Sequence, residues 1–141
     1  MFTKLFIFKS IILLLFLLFI LLGSFTYFTD YKLANFFNIN LLVILPLSII
    51  VHELLHMIGF LLYDFKLEKI SFGINKVGIP FTRISKVIPK KYFLIATLMP
   101  MVLLGILPLI YSLIIFNKII VTFSIINISG SSGDILIFLK K

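Results

Sequence analysis

The residues best suited to chemistry in this chain form the sequence His52-Glu53-Leu54-Leu55-His56. Two histidines four residues apart lie on one face of an α-helix, so both imidazoles can bind the same metal ion. A glutamate beside the first histidine is placed to accept a proton from a water molecule that the metal activates. The pattern predicts His52 and His56 as metal ligands and Glu53 as a catalytic base.

The motif lies inside an apolar run, residues 41–63, which contains no other acidic or basic residue. Ionisable side chains at membrane depth cost ~2.5 to 3.5 kcal/mol each on insertion scales, so three of them together require compensation. A bound metal ion provides it. A chance match to the motif is common in polar helices, but this setting argues against chance.

A catalytic zinc site normally has three protein ligands and one open position, so one ligand remains to be found. Cysteine is absent, which leaves carboxylates. The candidates outside the motif are Asp30, Asp64, Glu68 and Asp134. Asp64 follows His56 by eight residues, a rise of ~12 Å and too far for a bond of ~2 Å. Asp134 is therefore the predicted third ligand of Zn²⁺, although the same donors also suit iron or manganese.

Asp134 ends the segment Asn127-Ile-Ser-Gly-Ser-Ser-Gly-Asp134, which is poor helix material within an apolar run. A broken helix at membrane depth must be buried in protein or line a watery cavity, and a hydrolytic site requires such a cavity. Asp134 also has the simpler interpretation of a helix cap. Asn127 either orients a ligand or substrate or bonds to another helix, and Pro46, Pro100 and Pro108 are predicted to kink their helices.

The composition excludes an ordinary soluble domain. Hydrophobic residues make up 62% of the 141 residues and the mean hydropathy is +1.26, values typical of an integral membrane protein. The net charge of +8 comes from residues that flank apolar runs, not from a basic face with exposed aromatics. The charge therefore indicates membrane topology, and no nucleic acid partner is expected.

Four apolar runs are long enough to cross a bilayer as helices, at about residues 5–28, 41–63, 92–116 and 119–139. The first has the charge pattern of a secretory signal, but its length and the lack of a small-residue cleavage site favour a retained helix. Of the 13 basic residues, only Lys32 and Lys118 lie in the connections opposite the chain ends, so both termini are predicted to be cytoplasmic. We expect an all-α, multi-pass protein of the bacterial cell membrane, forming one domain over residues 1–141.

A polar segment, residues 64–91, joins the second and third runs and holds seven basic residues. Residues 69–74 and 77–84 alternate polar and apolar side chains about the turn-prone Asn75-Lys76. This pattern predicts a short amphipathic β-hairpin at the cytoplasmic face. The alternative is an irregular basic loop that lies on anionic lipid headgroups.

An HExxH motif on a membrane helix, a β insert after it and an aspartate from a broken later helix resemble intramembrane zinc metalloproteases of the site-2 protease type. The closer resemblance is to a family of small bacterial membrane proteins described as putative zincin peptidases, over most of the chain after the first run. It rests on residues 51–56 and 127–134, with a weaker match at Met99-Pro100. Site-2 proteases carry Asn-Pro-Asp-Gly at the third-ligand segment, and this chain does not. The resemblance implies that His52, His56 and Asp134 bind zinc and that Glu53 is the general base.

These observations together predict a zinc-dependent intramembrane peptidase that acts on a membrane protein or peptide. An extended substrate segment would pair with the exposed edge of the hairpin. The alternative is a non-proteolytic membrane protein that binds or transports a divalent cation, since such pathways also contain buried ionisable groups. A cation carrier has no need of Glu53 beside a ligand histidine. A structural helix bundle without metal is the third interpretation.

Overall fold

The computed structural model describes residues 4–29, 38–63, 67–74, 78, 80–85 and 87–140. Two candidate carboxylates, Asp30 and Asp64, and the predicted turn at Asn75-Lys76 lie outside these residues. The described chain is mostly helical and contains one two-stranded antiparallel sheet. The predicted helical fold with a hairpin between the second and third helices is therefore confirmed.

Helix α1 (Lys4–Phe28) is apolar on all sides, and in its most apolar stretch no residue is fully buried inside the protein. A helix of this kind is stable only where its surroundings are apolar as well. One side of α1 contacts the protein interior, where Val121 and Ile125 pack against Leu18, Leu21, Leu22 and Phe25. These contacts hold α1 beside the last two helices of the chain.

Helix α2 (Leu41–Leu61) carries the HExxH motif and is continuous through Pro46. It ends two residues before the predicted end at residue 63, because the chain leaves the helix through a turn. Gly59 lies on the same face as His56, and this face packs directly on the following helix. A Cβ atom at Gly59 would lie 2.5 Å from the Cα atom of Ala96, so only glycine allows this approach.

A short 3₁₀ turn (Leu67–Lys69) leads into strands β1 (Ile70–Ile74) and β2 (Pro80–Ile84), which pair in antiparallel fashion. The Ser85 N–H donates to the Lys69 carbonyl at 2.9 Å and extends the ladder by one pair. The hairpin predicted from the alternating pattern is confirmed, and the irregular-loop alternative is wrong.

The third apolar run forms helix α3 (Lys90–Pro100), a π-helical segment (Met101–Ile106) and helix α4 (Leu107–Ile115). Together they make one continuous span, Lys90–Ile115, close to the predicted run 92–116. Proline lacks an N–H and its ring clashes with the carbonyl four residues earlier, so the α-helical bonding pattern is interrupted at Pro100. Wider π-helical turns follow the interruption, as they often do near functional sites.

The fourth apolar run is divided into helix α5 (Lys118–Gly130) and helix α6 (Ser132–Lys140). The two helices meet at an angle of 42°, which confirms the break predicted within residues 119–139. Asn117 caps α5 by accepting hydrogen bonds from the N–H groups of Ile119 and Ile120. The break lies immediately before Asp134, which falls in the first turn of α6.

The interior of the described chain contains more hydroxyl-bearing side chains than large apolar ones. The buried polar residues include Ser48, Thr97, Ser112, Thr122, Ser124, Ser129, Ser131 and Ser132, whereas most large apolar side chains face outwards. Small polar residues between helices and apolar residues outside are typical of helix packing in lipid. Three helices are long and apolar enough to cross a membrane, or four if the bent pair α5 and α6 forms one span. The fold is thus consistent with a membrane protein.

Candidate metal centre

The two histidines of the motif lie one turn apart on α2, with their ring centroids 4.8 Å apart and the rings in an edge-to-face arrangement. His56 is buried, and His52 is partly exposed. The arrangement follows from the helical repeat, because residues four positions apart share a face. Local structure alone therefore brings the two imidazoles together.

Asp134 reaches the histidines from the first turn of α6. Its Oδ2 lies 3.0 Å from the His52 Nε2, and its Oδ1 lies 3.3 Å from the His56 Nε2. The side chains retain 11 to 17% of their accessible surface, so the cluster is nearly enclosed but open to water. The structure thus brings together the three side chains predicted as ligands. The break before Ser132 sets the direction in which α6 presents Asp134.

Whether a metal ion fits this cluster depends on which ring nitrogen of His56 carries a proton. The Nδ1 of His56 lies 2.8 Å from the carbonyl oxygen of Ala96, and because a carbonyl only accepts, Nδ1 carries a proton. In the neutral imidazole, Nε2 then has a lone pair that faces the Asp134 carboxylate, another acceptor. Two acceptors at this distance need a positive charge between them, either a second proton on His56 or a metal cation. A divalent metal bound through nitrogen and oxygen satisfies both atoms, so the donor set fits zinc.

Glu53 lies beside the histidine pair. One of its carboxylate oxygens, together with one ring nitrogen from each histidine, forms a group whose atoms are all within 4.8 Å of one another. Its backbone carbonyl accepts a hydrogen bond of 2.9 Å from the Thr82 hydroxyl on β2. The hairpin is therefore joined directly to the part of α2 that carries the predicted base.

A cleft of about 190 Å³ opens beside His56 and Asp134. Apolar side chains from four elements line it, namely Phe60, Ile84, Phe93 and Ile137. Thr82 and Arg83 bring strand β2 to the same cleft. The space is small and mostly apolar, so it excludes a large ligand.

The side-chain amide of Asn127 bonds within its own helix, and not to another helix. It donates a hydrogen bond of 2.8 Å to the Phe123 carbonyl. The Ser131 hydroxyl in turn donates to the Asn127 backbone carbonyl at 2.9 Å. These bonds stabilise the end of α5 next to the break.

Sequence reasoning missed three residues that shape the centre. Ala96 supplies the carbonyl that receives the His56 proton, Gly59 allows α3 to approach, and Thr82 contacts the backbone of Glu53. The sequence did contain a signal for Ala96, because Pro100 lies four residues later. Proline has no N–H, so the Ala96 carbonyl lacks its usual donor within the helix. The other two depend on contacts between distant segments.

An HExxH histidine pair with a carboxylate from a later helix beside it defines a helical protein with a candidate metal centre. The chain belongs to the family DUF3267, described as "Putative zincin peptidase", which it matches over residues 45–141. The match includes α2 from residue 45 onwards, the hairpin and all later helices, and leaves out the whole of α1. No curated protein and no solved structure matches the chain. Membership of this family suggests a zinc-dependent peptidase.

Proposed function

We propose that this protein is a zinc-dependent intramembrane peptidase that hydrolyses peptide bonds of membrane-embedded or membrane-proximal segments. The observation that carries the proposal is the convergence of His52, His56 and Asp134 from two helices, with His52 and Asp134 82 residues apart in the chain. These three side chains would hold the zinc ion through two Nε2 atoms and the carboxylate. Bound zinc supplies a Lewis acid and lowers the pKa of water at the site.

Glu53 performs the proton transfers in the proposed reaction. Its carboxylate accepts a proton from the attacking water and delivers that proton to the leaving amine nitrogen. The side chain is partly exposed, and one of its carboxylate oxygens lies within 4.8 Å of a ring nitrogen of each histidine. In a cation carrier no reacting water is present, and this carboxylate would have no comparable role.

The membrane setting determines the class of substrate. With both termini in the cytoplasm, the centre lies in the cytoplasmic half of the bilayer, where the hairpin and the cleft receive an unwound segment of a membrane protein. The many outward-facing apolar side chains of α1 and α2 support this placement in lipid.

Strand β2 provides the edge on which an extended substrate would dock. Lys69 and Ser85 form a hydrogen-bonded pair, and such pairs alternate along an antiparallel ladder. The register that pairs Ser71 with Arg83 therefore directs the backbone groups of Thr82 and Ile84 away from β1. A substrate strand would pair with these groups beside the cleft.

The docking edge is tested with Ile84→Pro, which removes an outward N–H while keeping the pairs with β1. We expect a higher KM for a membrane substrate with unchanged zinc content. Deleting residues 70–84 is the coarser version, and unchanged cleavage by the deletion variant would eliminate strand docking.

The proposed activity is tested with detergent-purified protein in which zinc is counted by elemental mass spectrometry. We expect about one zinc per chain in the wild type and in Glu53→Gln, and none in His56→Ala. Glu53→Gln should also abolish hydrolysis of a membrane substrate. If Glu53→Gln still carries cations into vesicles, the cation-carrier alternative is favoured. If the well-folded wild type binds no metal, the interpretation as a structural helix bundle is favoured.

A further inference from the structure

The carbonyl that binds His56 is available to it because of a proline. In a regular α-helix the carbonyl of Ala96 accepts a hydrogen bond from the N–H of residue 100. Residue 100 is proline and has no N–H. The N–H of Met101 donates to the Leu98 carbonyl instead. The Ala96 carbonyl is therefore left for a donor outside its helix, and the His56 Nδ1 lies 2.8 Å from it.

The proline ring also affects the direction of this carbonyl. A proline inside a helix clashes with the carbonyl four residues earlier and forces it away from the helix axis. Ala96 and Pro100 are both fully buried or nearly so, so the displaced carbonyl faces protein and not solvent. The neighbouring element on that side is α2, which presents His56.

The approach of the two helices completes this arrangement. Gly59 lies one turn after His56 on the same face of α2, and a Cβ atom there would meet the Cα and Cβ of Ala96 at 2.5 and 2.8 Å. Two residues with minimal side chains thus allow the helix backbones to touch. At this separation an imidazole one turn away reaches the backbone of α3.

We infer that Pro100 is a positioning residue for the metal centre: by leaving the Ala96 carbonyl unbonded in its own helix, it keeps the proton of His56 on Nδ1. The Nε2 lone pair is then directed at the position between His56 and Asp134 where a metal ion would bind. The inference deepens the proposed function, because it rests on His56 being a metal ligand.

A purely structural role for Pro100 predicts a different result from its replacement. A proline inside a helix is unfavourable relative to alanine, so on a purely structural view Pro100→Ala restores a helical bond and stabilises the protein or leaves its stability unchanged. The positioning role predicts that the same variant weakens the centre. Weaker zinc binding by Pro100→Ala without any loss of stability is therefore the result that the inference predicts.

The first experiment records which ring nitrogen of His56 carries the proton. The chain has only two histidines, so ring-¹⁵N-labelled histidine gives two resolvable imidazoles by NMR in detergent. The spectra are recorded without metal in an Asp134→Ala background, which removes the carboxylate that would compete for a proton on the His56 Nε2, at a pH well above the ~6.5 of free imidazole. We expect the Nδ1-protonated form of His56 to dominate in this background and to become a mixture when Pro100→Ala is added. His52 serves as the internal reference, and Pro108→Ala makes the same chemical change elsewhere in the same span.

The second experiment measures the zinc dissociation constant by competition with a chelator. We expect Pro100→Ala to bind zinc ~10- to 100-fold more weakly, the usual effect of losing an outer hydrogen-bond partner of a ligand histidine. Pro108→Ala should bind zinc like the wild type. Pro100→Ser, which restores the same N–H with another side chain, repeats the test if the alanine variant does not fold.

The outcomes separate this inference from the proposed function. An unchanged His56 proton position in folded Pro100→Ala overturns the inference even if the protein is an active peptidase. Wild type that binds no zinc overturns the proposed function, but the proton position still decides the role of Pro100. Equal zinc affinity in Pro100→Ala and wild type also overturns the inference.

Discussion

Regular α-helix is interrupted in two places beside the metal centre. The first departure is at Pro100 in the third span, and the second is between Gly130 and Ser132, where α5 ends and α6 begins. At Pro100 the helix stays continuous through a π-helical segment, and the departure exposes one backbone carbonyl. After Gly130 the chain bends by 42° and a new helix begins, which presents the Asp134 side chain. A single missing N–H is enough to supply an outer hydrogen-bond acceptor, whereas placing a ligand side chain requires a change of helix direction.

The residues around the two departures differ as well. The first is held by close backbone contacts, with Gly59 against Ala96 and Gly105 against Ile128. The second is held by hydroxyl groups, and a Cβ atom at Gly130 would meet nothing within 4 Å. Substitutions should therefore act mainly through sterics at the first departure and through hydrogen bonding and charge at the second.

The largest effect is expected from Asp134→Asn at the second departure. The amide keeps the shape of the side chain but removes the charge that faces two ligand nitrogens. We expect zinc affinity to fall by more than the ~10- to 100-fold typical of an outer partner, as measured by chelator competition. Glu68→Gln, which removes an exposed carboxylate on the 3₁₀ turn, is the control. If both variants bind zinc equally, Asp134 is not a ligand.

Gly59→Ala should have the next largest effect, at the first departure. The added methyl group would overlap the Ala96 backbone, and overpacking of this kind typically costs ~1 to 3 kcal/mol. We expect a lower unfolding midpoint in detergent and weaker zinc binding, because α3 and its carbonyl move away from His56. Gly130→Ala has open space and should leave stability unchanged or raise it by ~0.5 to 1 kcal/mol. If Gly59→Ala and Gly130→Ala are equally stable, packing is not tighter at the first departure than at the second.

A smaller effect is expected where the hairpin meets α2. Thr82→Val removes the hydroxyl that donates to the Glu53 carbonyl and should cost ~1 kcal/mol of unfolding free energy. Turnover should decrease while zinc stoichiometry stays the same, because the ligands are untouched. Ser85→Ala removes an exposed hydroxyl that bonds within the hairpin region and is the matched control. Loss of zinc from Thr82→Val would mean that the hairpin supports the ligands themselves.

The smallest effect is expected from Ser129→Ala in the helix before the second departure. The Ser129 hydroxyl is buried and has no hydrogen-bond partner among the described residues, so its removal should be neutral or stabilising by up to ~1 kcal/mol. Ser131→Ala should instead be destabilising by ~1 kcal/mol, because the Ser131 hydroxyl donates to Asn127. Thermal unfolding of both variants checks the difference, and destabilisation by Ser129→Ala would indicate a bound water or ion beside that hydroxyl.

The limits of sequence reasoning are visible in particular residues. The spacing of His52 and His56 reports their shared face because a helix repeats locally. The Gly and Ser residues before Asp134 indicate a break because they are poor helix formers. The sequence does not indicate that Thr82 bonds to Glu53 or that Gly59 touches Ala96, since these contacts join separate elements. Helix ends also shifted by one or two residues, as at Leu61, where a turn replaces the last helical positions.

By itself the sequence determined the local features: the apolar runs, the hairpin, the histidine pair with its glutamate, and the break before Asp134. Each depends on neighbouring residues, because helix and strand repeats and the cost of burying charge act over a few positions. Only the tertiary structure decided how Asp134 faces two histidines, the first of them 82 positions earlier in the chain, and that the His56 proton is held by a carbonyl 40 positions away. Those arrangements depend on the packing distance between helices, which small residues and interrupted backbone bonds set in three dimensions.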